Sequence, residues 1–87
     1  MKTILVDDEL WAMDKFEIEA GAIPDIEIAG KFDRSEEALQ FAKENRVDFA
    51  LLDVEMPGMN GLELSQALKK LYPDMVIIFV SGYDQYV

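Results

Sequence analysis

An α/β fold, built as a doubly wound parallel sheet in strand order 2-1-3-4, is predicted by three observations. Ile4-Leu5-Val6, Phe49-Ala50-Leu51-Leu52 and Met75 to Val80 are short apolar runs rich in Val, Ile, Leu and Phe, and segments with helical spacing separate them. Such runs mark strands buried on both faces. Each run stops at an acidic or hydroxyl residue: Asp7-Asp8-Glu9, Asp53 and Ser81. The order of elements is β-α-β-α-β-α-β with no linker, and right-handed crossovers then put the switch point between the first and third strands. Parallel strands share one carboxyl edge, so Asp7, Asp8, Asp53 and Ser81 are predicted to converge there.

The first strand is Met1 to Val6, and the first helix runs from Glu9 to about Ala20 with Met13, Phe16 and Ala20 as a narrow apolar stripe. Gly21 and Pro24 end it. Asp25 to Gly30 alternates Ile26 with Ile28 and is more polar, which suits a strand at a sheet edge. Ser35 is expected to cap a second helix whose inner face carries Ala38, Leu39 and Ala42, with Glu36 and Glu37 at its positive end. Asp48 to Leu52 forms the third strand. After the loop Pro57-Gly58-Met59-Asn60-Gly61, Asn60 and Glu63 have capping-box spacing. Leu64, Ala67, Leu68 and Leu71 then follow at i, i+3, i+4 and i+7, Pro73 closes the third helix, and Met75 to Val80 is the fourth strand.

Composition narrows the chemistry. The 87 residues allow one small domain, and no apolar run approaches the ~20 residues a bilayer span needs. With no cysteine, disulfides and thiolate metal sites are excluded; with no histidine, the commonest general base and transition-metal ligand are gone. Eighteen acidic against eight basic residues give a net charge of −10, which repels phosphate backbones and anionic membranes. The segment is expected to be cytoplasmic and to bind neither nucleic acid nor membrane.

Carboxylates gathered in one crevice repel one another unless a cation or proton intervenes. An all-oxygen set calls for a hard cation, and Mg²⁺ is the usual choice where a phosphoryl group completes its shell. Singly, each aspartate is explained as a turn or helix cap. Their convergence at one switch point is not. Met56-Pro57-Gly58 and Gly61 are read as turn geometry near the metal, and the methionines and Trp11 as packing or loop residues.

Val6-Asp7-Asp8-Glu9, Leu52-Asp53-Val54-Glu55-Met56-Pro57-Gly58-Met59-Asn60-Gly61 and Val80-Ser81-Gly82 together resemble the receiver domain of bacterial two-component response regulators. The resemblance implies a flavodoxin-like (CheY-like) fold and a phosphorelay function. Asp53 matches the phosphoacceptor, which takes a phosphoryl group from a sensor histidine kinase. Asp8 matches a direct Mg²⁺ ligand, Asp7 a partner acting largely through water, and Glu55 a ligand through its backbone carbonyl. Ser81 matches the hydroxyl that bonds the phosphoryl group. Such a domain assists its own phosphorylation and dephosphorylation and is not otherwise an enzyme.

The resemblance also implies a fifth strand ending in a lysine and a last helix, neither of which residues 1–87 contain. This predicts a truncated receiver domain cut from a longer regulator, with the fourth strand turned into an apolar edge that favours homo-oligomers. Tyr83-Asp84-Gln85-Tyr86 is similar to a segment of receivers joined to LytTR-type or AraC-type DNA-binding domains. Two other functions stay open. One is a binding or oligomerisation fragment that keeps the acidic Mg²⁺ site without switching. The other is a flavin-binding protein, disfavoured because the first loop is acidic where a phosphate cradle would be rich in Ser, Thr and Gly.

Overall fold

The fold follows from two residue periods, the continuous apolar runs of the strands and the three-to-four spacing of the helices. A computed structural model describes residues 1–56 and 58–80, and the side chains among them apart from those of residues 10–13. The elements are β1 (Lys2–Val6), α1 (Leu10–Gly21), β2 (Glu27–Phe32), α2 (Ser35–Glu44), β3 (Phe49–Asp53), α3 (Gly61–Leu71) and β4 (Val76–Val80). All neighbouring strands are parallel and the order is β2-β1-β3-β4, as predicted.

Alternation along β1 sends Ile4 and Val6 to one face and Thr3 and Leu5 to the other, and all four are buried. On the first face Ile4 and Val6 join Ala50 and Leu52 of β3, Ala38 and Ala42 of α2, and Leu64 and Leu68 of α3 in the main core. The small α2 residues let that helix lie close to the sheet. Phe41 of α2 meets Phe32 of β2 with ring centroids 5.2 Å apart in a tilted pair, a favourable aromatic geometry. The Tyr72 hydroxyl donates to the carbonyls of Ala42 and Asn45 at 2.8 and 3.1 Å, tying the end of α3 to that of α2. The reciprocal capping box is present: Glu63 N–H donates to Asn60 Oδ1 at 2.9 Å and Asn60 N–H to Glu63 Oε1 at 3.1 Å.

Two expectations need correction. Ser35 is the first residue of α2 rather than its cap; Arg34 holds the cap position without a side-chain bond. The buried Ser35 hydroxyl turns instead to Met56 Sδ at 3.7 Å, joining the start of α2 to the loop after β3. The second strand runs to Phe32 rather than Gly30. Its register against β1 slips by one residue, with Thr3 opposite Ile28 and Ile4 opposite Gly30, so the strand absorbs an extra residue and continues.

β2 is an edge strand, and β4 is the other edge among the described residues. Val76, Ile78 and Phe79 are 48, 45 and 42% exposed, as expected of an apolar strand with one paired side. In the first helix, Ala20 is buried and Phe16 half-buried, while Met13 of the expected stripe, like Trp11, has its side chain outside the described set. Ser81, Tyr83 and Tyr86 also lie outside the described residues. No described helix is long and apolar enough to cross a membrane.

Candidate functional site

The carboxyl ends of β1 and β3 sit side by side at the switch point, because these strands pair in register from Thr3 opposite Phe49 to Val6 opposite Leu52. Asp7 and Asp8 follow the one and Asp53 ends the other. A carboxylate oxygen from each of the three lies within 4.8 Å of the others. That span is close to the ~4.2 Å between opposite ligands of an octahedral Mg²⁺ shell. Asp7 and Asp53 are only 4 and 6% exposed, whereas Asp8 is open to solvent.

Local turns aim the two buried groups. Asp7 Oδ1 accepts the Glu9 N–H at 2.9 Å, and Asp53 Oδ1 accepts the Glu55 N–H at 3.2 Å. In both, a side chain folds onto the backbone two residues ahead, as Asp does where a strand turns. Glu55 itself has an exposed side chain outside the three-carboxylate cluster; its backbone is what the site holds.

The pocket is short of positive charge. Burial pushes the Asp53 carboxyl up to about 6, and the charges of Asp7 and Asp8 add to the rise against the opposing Glu55 N–H bond. Burial raises Asp7 as well, again with Asp8 adding to it and the Glu9 N–H opposing it. Asp7 and Asp53, both buried and with carboxylate oxygens within 4.8 Å of each other, favour a proton on Asp53 when no cation is present. A cluster whose burial and mutual repulsion favour the protonated form is one that a cation would also relieve.

Two glycines shape the rim. Gly58 has φ of +75°, a left-handed conformation that side chains disfavour, in the loop between β3 and α3. Gly61 is not at a turn of that kind, contrary to its expected role. A Cβ there would press on the backbone of β3, 2.9 Å from the Asp53 carbonyl carbon and 3.0 Å from Val54 Cα. Its bare Cα lets α3 begin directly against the strand that carries Asp53.

Beside the cluster, Asp8, Asp33, Arg34, Glu36 and Gly58 line a cavity of about 470 Å³. Asp33 and Arg34 do not stand out in the sequence, because ending the second strand at Gly30 leaves them inside a connection. With β2 ending at Phe32, they follow the same carboxyl edge as the aspartates.

A parallel α/β sheet with three converging carboxylates at its switch point, two of them buried, offers the all-oxygen ligands that a hard cation takes. The chain belongs to the response regulator receiver domain family, whose model matches residues 3–87. It is 35% identical over 86 residues to the sensory transduction protein LytT of Bacillus anthracis, covering 99% of this chain and 35% of that protein. It is 36% identical to the transcriptional regulatory protein NatR of Bacillus subtilis, covering 99% of this chain and 37% of that one. The chain thus spans about a third of the length of these curated relatives. Among solved structures, a two component transcriptional regulator AraC from Clostridium phytofermentans superposes with a TM-score of 0.86 at 32% identity, over all of this chain and 73% of that one. The response regulatory domain of protein mrkE from Klebsiella pneumoniae gives 0.85 at 29% identity, over 99% and 70%.

Proposed function

We propose that this domain accepts a phosphoryl group on Asp53 from a sensor histidine kinase, with Mg²⁺ held by Asp7, Asp8, Asp53 and the Glu55 carbonyl. The observation that carries the proposal is the triad of converging carboxylates, two of them buried with raised pKa, in a chain of the receiver family. The bound ion would supply charge neutralisation on the phosphoryl oxygens. An ionised Asp53 oxygen attacks phosphorus in line; its bond to phosphorus forms as the donor's phosphorus–nitrogen bond breaks, and that electron pair leaves with the imidazole. Ser81 is the proposed hydroxyl that bonds the phosphoryl group and relays its presence.

A cytoplasmic regulator with a DNA-binding output is the proposed setting of this domain; NatR and the AraC regulator, to which it is similar, are transcriptional regulators by name. Incubation with acetyl phosphate and Mg²⁺ should add one phosphoryl group, mapped by mass spectrometry to the peptide with Asp53 and prevented by EDTA. Labelling elsewhere, or labelling that ignores EDTA, would refute the assignment. Mg²⁺ binding itself should be visible by calorimetry and lost on Asp8→Ala.

A second copy is the proposed partner of the β4 edge. The strand Val76–Val80 carries no charge and no proline, and three of its apolar residues stand exposed. Edge-to-edge pairing would cover them. Sedimentation should show association that rises with concentration and is abolished by Ile78→Lys. A monomer at every concentration would remove this proposal and mean that repulsion between chains of charge −10 outweighs the pairing of their edges.

A further inference from the structure

Arg34 stands out in the cavity next to the acidic cluster. Three carboxylates, from Asp8, Asp33 and Glu36, line that cavity with it, yet Arg34 forms no ion pair among the described residues. Its backbone is fixed. The Phe32 carbonyl accepts the Asp7 N–H at 3.0 Å, anchoring the end of β2 to the site, and the Arg34 carbonyl accepts the first N–H bond of α2 from Ala38 at 3.2 Å. The side chain is exposed and makes no capping bond, so the guanidinium is available to whatever enters. Across the cavity the left-handed Gly58 keeps the wall low, since a Cβ there would lie 3.3 Å from Glu36 Oε2.

We infer that Arg34 binds the phosphoryl oxygens of the incoming phosphodonor in this cavity, as a donor-contacting residue for transfer onto Asp53. The inference rests on the phosphoacceptor function proposed above. A phosphodonor is an anion approaching a protein of net charge −10 at its most acidic point. A cation on the approach path counters that repulsion, and a guanidinium does so with paired N–H donors suited to phosphate oxygens. With acetyl phosphate, an Asp53 oxygen bonds to phosphorus, the phosphorus–oxygen bond to the acetyl group breaks, and its electron pair leaves with acetate. Arg34 keeps its proton throughout.

The test is the initial rate of Asp53 labelling at saturating Mg²⁺ for the parent, Arg34→Ala, Arg34→Lys and Arg46→Ala. Arg46 is paired with Asp48 at the far end of β3 and controls for net charge alone. Arg34→Ala should slow labelling by acetyl phosphate by roughly three- to tenfold, with a smaller effect on the less charged phosphoramidate and a smaller effect at high salt. Arg34→Lys should keep most of the rate and Arg46→Ala all of it. Calorimetry supplies a readout that a structural role would move the other way: Mg²⁺ should bind Arg34→Ala as tightly as the parent or more tightly, because a repelling cation has gone. Equal rates in parent and Arg34→Ala, or a loss of Mg²⁺ affinity and thermal stability in that variant, overturns the inference alone. A parent that takes no phosphoryl group on Asp53 overturns the phosphoacceptor function and the inference with it.

Discussion

Asp53→Asn should take up no phosphoryl group, and in metal-free buffer near neutral pH it should unfold at a higher temperature than the parent. The first outcome follows from chemistry, since a carboxamide cannot replace the carboxylate nucleophile. The second follows from charge. In the folded state the Asp53 carboxyl titrates at about 6, above the ordinary 3.8, because it is buried beside Asp7 and Asp8. A group raised in this way contributes stability that is fully present below its unfolded value and is lost as pH rises through the folded one. The metal-free parent should therefore weaken between about pH 4 and pH 6, and Asp7, shifted in the same direction, adds to the slope. Asparagine removes the Asp53 share, a gain near neutral pH of about 1 kcal/mol, or roughly 4–8 °C in a domain of this size. Mg²⁺ should invert the ranking, because it stabilises the parent by about 2.7 kcal/mol at a hundred times its Kd and the variant by less. Melting curves with and without Mg²⁺ across that pH window decide it. An Asp53→Asn variant that melts at or below the parent without metal would show that the three carboxylates do not strain one another.

The strand order and the converging aspartates are legible because they depend on features that local sequence carries well. Continuous apolar runs name the buried strands, and crossover handedness leaves few ways to order them. Once the ends of β1 and β3 are placed, Asp7, Asp8 and Asp53 must meet. The Asn60–Glu63 box is legible for a similar reason, since its bonds lie within one helical turn.

The second strand is harder. Its outer side meets no neighbour among the described residues, its composition is mixed, and the slip between Thr3 and Ile4 breaks the two-residue alternation by which a strand is measured. An end placed two residues early conceals Asp33 and Arg34. Ser35 misleads because a serine before Glu-Glu fits a cap by composition, while its actual bond to Met56 Sδ joins residues 21 apart. Gly61 resembles a turn residue for the same reason: the atoms that forbid a side chain there belong to β3, which only the folded chain brings near.

Gly61→Ala should destabilise the domain by about 1–2 kcal/mol, although residue preference alone predicts the opposite sign. Gly61 is the first residue of α3, and alanine in a helix is favoured over glycine by up to about 1 kcal/mol. The added methyl would collide with the Asp53 carbonyl oxygen and approach the Asp53 carbon and Val54 Cα at 2.9 and 3.0 Å. These are backbone atoms at the end of a central strand, where Asp53 pairs with Val80 and the Val54 N–H donates to the Val80 carbonyl, so they cannot turn aside as a side chain would. The first turn of α3 must lift instead, which stretches the 3.1 Å bond from the Gly61 N–H to the Val54 carbonyl and shifts the segment that carries Asp53. Overpacking of this kind costs about 1–3 kcal/mol and exceeds the propensity gain. Gly21 at the end of α1 is the matched control, because a Cβ there would meet nothing within 4 Å. Gly21→Ala should therefore be neutral or stabilise by roughly 0.5 kcal/mol. Urea unfolding of the two variants gives both numbers, and Mg²⁺ calorimetry should show weaker binding by Gly61→Ala and unchanged binding by Gly21→Ala. If the two alanines have the same effect on stability, α3 is not held against β3 closely enough for its first residue to position Asp53.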